Sequence, residues 1–252
     1  MKTALDVALL FKRYSVQMLR NPVWLFVGFS TPVLYLALFT PLLKHVAPGL
    51  GVQGSVLEIF LPGILALLAF ASGSGMGFSI IFELQAGVIE RFRVTPASRF
   101  AILIGPILSG LTMMMVFDAV VVAIGVGVGF RIHWLGLLAL GVVLCLLAAL
   151  TAAFSTATAL LTKDISSFAA IINGINLPIL LLAGVLLPIS IGPLWMRVIA
   201  HFNPLYYAVQ GSRALATGSF ASAAVWQAFA VLVPLCALVV AWATRVFRKA
   251  VA

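Results

Sequence analysis

Residues 134–162 read WLGLLALGVVLCLLAALTAAFSTATALLT, a stretch of 29 residues that contains no charged side chain. A helix of about 20 apolar residues is long enough to cross the hydrocarbon core of a bilayer. The stretch shows no alternation of apolar and polar residues, which a strand of a membrane barrel would require. Because lipid tolerates only helices and closed barrels, this segment predicts a transmembrane helix and an all-α fold.

Five other stretches of the chain are similarly poor in charge. Together with the first they predict six transmembrane helices, over residues 21–43, 59–82, 101–129, 134–162, 165–187 and 219–244. Charged residues make up only 8% of the 252 residues and hydrophobic residues 63%, whereas soluble domains have about 25% and about 45–50%. The remaining segments are too short for a separate catalytic domain. Residues 1–252 are therefore predicted to form a single domain of an integral membrane protein.

The basic residues predict how the chain is oriented in the membrane. With six spans, the side that holds both termini carries 11 Lys and Arg residues, and the opposite side carries 4. The positive-inside rule assigns the richer side to the cytoplasm, so we expect a multi-pass protein of the cell (inner) membrane with both termini cytoplasmic. The net charge of +9 is then a topology signal. A nucleic-acid partner is not expected, because no basic face with interleaved aromatic residues lies outside the membrane flanks.

Two cytoplasmic segments are predicted to be helical without crossing the membrane. Residues 1–20 place Lys2, Arg13 and Arg20 on one stripe, which is typical of a helix lying in the lipid headgroup region. Residues 83–99 hold the densest charge in the chain, and their helical pattern stops before Pro96. A short, rigid, mixed-charge helix of this kind suits docking into a groove of a soluble partner. The alternative for this segment is a simple solvated loop.

Residues 188–218 are predicted to form an external re-entrant hairpin before the last span. The stretch between Arg197 and Arg213 has only 15 residues and is interrupted by Pro204, so it is too short and too broken to cross the bilayer. Two short helices dipping into the outer leaflet fit this pattern, since aromatic side chains suit that depth. A broken helix exposed to lipid is unfavourable, so the hairpin is expected to pack against the spans or to cap the pathway.

Few polar residues lie inside the predicted spans. Asp118 is the only acidic one; it either contacts a cationic substrate or a proton, or is a structural residue that is neutral or hydrogen-bonded. Asn173 and Asn176, followed by Pro178, either line the central pathway or bond between helices and relieve the proline kink. The glycine runs within 73–77 and 125–129 are interpreted as sites of close helix packing.

Two alternatives from other classes of protein can be weighed from the sequence. Ser72 and Ser74 would be the nucleophiles of an intramembrane serine hydrolase. The histidines lie outside the predicted spans, so no nucleophile and base can be paired; they are His45, His133 and His201. A purely structural partner of another membrane protein is the second alternative.

Two sets of motifs resemble those of the permease subunits of type-2 ATP-binding-cassette (ABC) exporters. Residues 87–96, GVIERFRVTP, resemble the cytoplasmic coupling segment of that family, Gly-Thr-(Leu/Ile)-Glu-Arg-(Leu/Met)-(Arg/Lys)-Val-Thr-Pro, with Val88 where the family has threonine. The family's external signature is similar to residues 187–188, 193–195, 202–209 and 213–215. The chain as a whole looks most like the daunorubicin-resistance and nodulation-exporter branch.

The resemblance implies a half-transporter without a motor of its own. Two permease chains, as a homodimer or with a paralogue, would form a pathway for outward transport of an amphipathic drug-like or lipid-like compound. A lipid-linked glycan is the alternative substrate. A separate ABC ATPase subunit would bind ATP and magnesium, because no lysine of this chain follows a glycine as a phosphate-binding loop requires. We therefore expect no cofactor, metal site or catalytic residue in this chain.

Three groups of residues are candidates for function. Contact with the ATPase is assigned to Glu83, Gly87, Glu90, Arg91, Arg93, Thr95 and Pro96. The external hairpin signature comprises Trp195, Asn203, Pro204, Tyr206, Tyr207 and Arg213. The candidates for the pathway, from their position in the spans, are Asp118, Asn173, Asn176 and Pro178.

Overall fold

The computed structural model describes residues 2–46, 56–87, 99–131, 133–185, 189 and 192–251. Within these residues the chain forms α-helices and no strand. The helices are α1 (Lys2–Leu19), α2 (Pro22–Val46), α3 (Val56–Gln85), α4 (Arg99–Gly127), α5 (Trp134–Thr162), α6 (Ile165–Leu182), α7 (Leu194–Ala200), α8 (Pro204–Ala216) and α9 (Ala223–Val251). The all-α class predicted from the sequence is confirmed for this part of the chain.

Five helices of the described residues are long and apolar enough to cross a membrane. Their qualifying segments are Leu57–Gln85, Ile104–Gly127, Trp134–Thr162, Ile165–Leu182 and Ala223–Lys249. The predicted first span corresponds to α2, a helix of 25 residues in which Leu25–Leu38 forms a shorter apolar stretch. The chain is thus a helical membrane protein, and a sixth span at α2 stays a prediction.

The helix boundaries differ most from the predicted spans at α6 and α9. Helix α6 ends at Leu182, before the predicted end at 187, because the chain turns at Gly184, which has a left-handed φ of 67°. Helix α9 begins at Ala223 and continues to Val251, beyond the predicted range 219–244. Hydropathy does not mark these ends, since the chain just after α6 is as apolar as the helix and the basic residues near 248 continue the helix of α9.

Helices α3 and α5 pack closely through small residues. A Cβ atom on Gly73 would lie 2.6 Å from the carbonyl oxygen of Ala148, and one on Gly77 would lie 2.6 Å from Ser155 Oγ. The Ser155 hydroxyl donates to the Ser74 carbonyl oxygen at 2.6 Å and accepts the amide hydrogen of Gly77 at 3.0 Å. Glycine allows two helix backbones to approach this closely, so Gly73 and Gly77 act in packing.

Helices α1 and α6 lie at the edge of the fold. Helix α1 packs against α4 and buries Leu10 and Tyr14, while Leu5 remains 65% exposed. An amphipathic helix at the membrane surface has this distribution. Helix α6 buries only Phe168 and Ile172 against the described part of the chain, so most of its surface is open to lipid or to a second molecule.

Candidate functional site

The predicted external hairpin consists of the short helices α7 and α8, joined at residues 201–203. Asn203 caps α8, since its Oδ1 accepts the amide hydrogen of Leu205 at 3.0 Å. Its Nδ2 donates to the carbonyl oxygen of Ile179 at 2.7 Å. Pro204 occupies the first turn of α8. Amide groups there have no partner within the helix, so the amide hydrogen that proline lacks is not needed. Asn203 therefore both starts α8 and fastens it to the last turn of α6.

Arg213, on α8, connects the hairpin to α3 and to the turn that follows α6. Its Nε donates to the carbonyl oxygen of Ile59 in α3 at 2.9 Å. Its Nη2 donates to the carbonyl oxygens of Gly184 and Val185 at 2.8 and 3.1 Å. The last carbonyl groups of a helix have no partner within it, and in a membrane they need donors from the protein. Arg213 supplies such donors directly after α6.

The charge of Arg213 survives its burial. The residue is only 9% exposed, and this burial lowers the pKa of its guanidinium to about 10. The side chain is therefore still cationic at neutral pH, and the hydrogen bonds that its Nε and Nη2 donate are charge-assisted. The sequence placed Arg213 in the hairpin but did not indicate that it would be buried against the carbonyl groups of other helices.

The aromatic side chains of the hairpin form a packed group and an exposed group. The ring centroids of Tyr206 and Tyr207 lie 5.4 Å apart, and the His201 ring lies 5.3 Å from that of Tyr206. The Tyr207 hydroxyl donates to the carbonyl oxygen of His201 at 3.0 Å. By contrast, Trp195 and Phe202 are 60% and 86% exposed, as expected of aromatic residues at a membrane interface.

Asn176 connects α6 with α3. The Ser74 hydroxyl donates to Asn176 Oδ1 at 3.4 Å, which fits the alternative in which this asparagine bonds between helices. Asn173 and Pro178 are exposed on α6. A part in the pathway stays a prediction for all three candidates on this helix. The pairing of Ser74 with an amide lends no support to a hydrolase.

A groove of about 460 Å³ with several polar side chains in its wall lies where α1, α3 and α4 meet. Arg13, Tyr14 and Gln17 of α1 line it together with Glu83 from the last turn of α3. Burial and the nearby Glu83 carboxylate raise the pKa of the Tyr14 phenol, and the Arg13 guanidinium opposes this shift. Sequence analysis missed Tyr14, because a tyrosine in an amphipathic helix gives no sign of the carboxylate that it will face.

The segment assigned to the ATPase contact is only partly described. Glu83 lies beside α1, and Gly87 ends the turn after α3 with a left-handed φ of 65°, a conformation that favours glycine. Five further residues of the assignment lie outside the described part of the chain, namely Glu90, Arg91, Arg93, Thr95 and Pro96. The coupling helix therefore stays a prediction.

A helix cap at the start of α6 was also missed. Asp164 Oδ2 accepts hydrogen bonds from the Ser166 hydroxyl at 2.5 Å and from the Ser167 amide nitrogen at 2.8 Å. These bonds lower the pKa of Asp164 to about 2, so it is ionised at neutral pH. The signal was present in the sequence, since an aspartate directly before an apolar helix is a preferred N-cap.

Asp118 lines an apolar cavity of about 770 Å³ between α4 and α5. The residue is 5% exposed, and neither of its carboxylate oxygens has a hydrogen-bond partner among the described residues. The sequence allowed that Asp118 is a hydrogen-bonded structural residue, and this part of the chain offers no partner for such a bond. Two alternatives are left, namely a neutral carboxyl group and a carboxylate that binds a cation.

These features define the chain as a helical membrane protein with several membrane-spanning segments. Residues 6–216 match the family model described as ABC-2 type transporter, and the chain therefore belongs to the family of ABC-2 transport permeases. It is 31% identical over 215 residues to the ycf38 transport permease of Cyanophora paradoxa, covering 83% of this chain and 73% of that protein. The resemblance seen in the coupling segment and the hairpin is confirmed.

A second relative has a more specific name. The chain is 27% identical over 197 residues to DrrB1 of Streptomyces coeruleorubidus, covering 76% of this chain and 68% of that protein. DrrB1 is described as a daunorubicin resistance ABC transporter permease protein. The likeness to the daunorubicin-resistance type of permease inferred from the sequence is confirmed at this level.

Proposed function

We propose that this chain is the membrane-spanning subunit of an ATP-driven exporter whose separate ATPase subunit binds ATP and magnesium. The observation that carries the proposal is the family match over residues 6–216, because ABC-2 permeases normally work with an ATPase subunit. Similarity to a daunorubicin resistance permease favours an amphipathic, drug-like substrate. The nearly uncharged spans support this choice, since a substrate in such surroundings needs a large apolar part.

Two permease chains form the proposed pathway, either two copies of this chain or this chain and a paralogue. Helix α6 consists mostly of apolar residues, yet it buries only Phe168 and Ile172 against the described part of the chain. Its exposed side chains include Ile171 and Leu177, at 41% and 62%. A second permease chain packed against this helix would bury them and would place the exposed Asn173 at the boundary between the two chains.

The proposed orientation places the ATPase where the basic residues are concentrated. Both termini and the 83–99 segment then face the cytoplasm of a cell (inner) membrane, and the hairpin of α7 and α8 faces outward. The side with both termini carries 11 basic residues and the opposite side carries 4, which supports this arrangement through the positive-inside rule. ATP binding and ATPase contact consequently occur on the same side of the membrane.

Charge reversal at Glu90 is expected to separate the chain from its ATPase. Glu90 stands at the centre of the coupling motif, and removal of one partner of a docked charge pair costs about 2–5 kcal/mol. Glu90→Lys should therefore lower the amount of ATPase that co-purifies by about tenfold or more and abolish export. The measurement is the ratio of the two subunits after affinity purification.

Glu58→Lys is the matched control for this experiment. It makes the same charge change at the first turn of α3, which the proposed orientation places on the opposite side of the membrane from the coupling motif. The control should retain the ATPase. An unchanged subunit ratio for Glu90→Lys, in protein that elutes as a folded species, would contradict the assignment.

A further inference from the structure

None of the described residues that line the cavity between α4 and α5 belongs to α6, the helix that the proposed function places at the contact between two chains. The cavity's volume of about 770 Å³ falls within the range of about 300–1,000 Å³ that is usual for small-molecule sites. Trp134, Leu138 and Val142 line it and are 72%, 71% and 52% exposed. Because these side chains lie on an outer face of apolar helices, the cavity opens toward the hydrocarbon of the bilayer.

The wall of the cavity combines an apolar lining with one carboxyl group. Among the described residues that line the cavity, Asp118 is the only one with an acidic or basic side chain, and the other ionisable group is the Cys145 thiol. Asp118 is 5% exposed, and both its oxygens lack a hydrogen-bond partner among the described residues. A buried polar group without a partner is costly, and in a membrane protein it marks a place where function is expected.

We propose that this cavity binds a hydrophobic monoamine that enters from the bilayer. The ammonium group donates to the Asp118 carboxylate, and the apolar body of the amine packs against the side chains of α4 and α5. A lipid acyl chain would fill the same apolar space but would leave the carboxyl group without a partner. A single carboxyl group matches one positive charge, so anions and dications fit the site less well.

This inference deepens the proposed function, because it names the class of amphipathic compound that the chain recognises. Transport of the amine would rest on the proposed function. Binding of the amine does not require the ATPase. The test therefore uses the purified full-length chain in lipid nanodiscs, without ATP or a partner subunit. The probe is a photoreactive dodecylamine, and its displacement by dodecylamine and by dodecanol is measured. Cross-linked peptides identified by mass spectrometry report where the probe binds.

We expect dodecylamine to displace the probe at least about tenfold more effectively than dodecanol, because a charge-assisted hydrogen bond is worth this factor or more. Cross-links should fall on α4 and α5. Asp118→Asn should remove the preference for the amine and leave displacement by dodecanol unchanged. Glu58→Gln, which removes a carboxylate outside the cavity, should bind like the parent chain.

A second variant keeps the test decisive if Asp118→Asn does not fold. Ala123 is exposed and lines the cavity, so Ala123→Phe fills the space without crowding a packed core, and it should reduce amine binding while Asp118 is intact. Equal displacement by the amine and the alcohol in the parent chain would overturn the inference, as would an undiminished preference for the amine in Asp118→Asn. If the complex exports and hydrolyses ATP but the chain shows no preference for the amine over the alcohol, the amine site is overturned and the proposed function stands. If the chain binds the amine but recruits no ATPase, the proposed function is overturned and the amine site stands.

Discussion

Arg213→Met is expected to lower the stability of the purified chain by about 2–5 kcal/mol, since it removes the donor from two buried carbonyl oxygens at about 1–3 kcal/mol each. These are the carbonyl oxygens of Gly184 and Val185; the bond to Ile59 is lost as well, but that carbonyl lies within α3 and also has a helical partner. Methionine retains much of the length and apolar surface of the arginine stem, so the loss reports mainly the hydrogen bonds. Thermal unfolding in detergent, followed by helical circular dichroism, measures the effect.

Arg197→Met provides the control for the arginine prediction. Arg197 is exposed on α7, and its Nε donates only to the Gly192 carbonyl oxygen among the bonds described for it, at 3.0 Å. We expect this variant to unfold within a few degrees of the parent chain. If the two methionine variants unfold at the same temperature, Arg213 does not anchor the hairpin in the way its contacts indicate.

Gly73→Ala is expected to be the second most damaging change. The new Cβ atom would lie 2.6 Å from the carbonyl oxygen of Ala148 and 2.9 Å from the amide nitrogen of Ala152. These are backbone atoms of α5, so only a shift of whole helices can relieve the contact. Overpacking of this kind costs about 1–3 kcal/mol, and we expect a corresponding fall in the unfolding temperature.

Gly75→Ala makes the same chemical change two residues further along α3. A Cβ atom on Gly75 meets no heavy atom of a neighbouring element within 4 Å among the described residues, and alanine favours a helix over glycine by up to about 1 kcal/mol. This variant should therefore be as stable as the parent chain or slightly more so. Destabilisation by Gly75→Ala equal to that of Gly73→Ala would show that helix packing is not the reason for the glycine at 73.

The long helices could be predicted because lipid imposes a simple rule on the sequence. Helix α5 covers Trp134–Thr162, the range that the absence of charge had indicated. The end of α6 could not be found in this way, because the turn at Gly184 follows apolar residues and is held by donors from elsewhere. Arg213 lies 29 residues from Gly184 and 154 from Ile59 in sequence, so no local pattern relates them.

In the candidate site, too, the sequence predicted some residues, whereas their contacts with distant parts of the chain could not be predicted. Asp118 stood out as the single carboxylate in the predicted spans, but only the fold shows that it lines a cavity and lacks a hydrogen-bond partner among the described residues. Asn203 was found through its motif, whereas its bond to Ile179 required the packing of α8 against α6. Glu83 was assigned to the ATPase, and its position beside Tyr14 could not be read from either helix alone.

The central claim is that this permease acts with a separate ATPase subunit. Its most direct test is purification of the tagged chain from its native membrane in mild detergent, with every co-purifying chain identified and ATP hydrolysis measured. The account predicts a second chain that carries a phosphate-binding loop, in an amount equal to the permease, and ATP hydrolysis that depends on magnesium. A folded permease recovered without any nucleotide-binding chain and without ATP hydrolysis would contradict it.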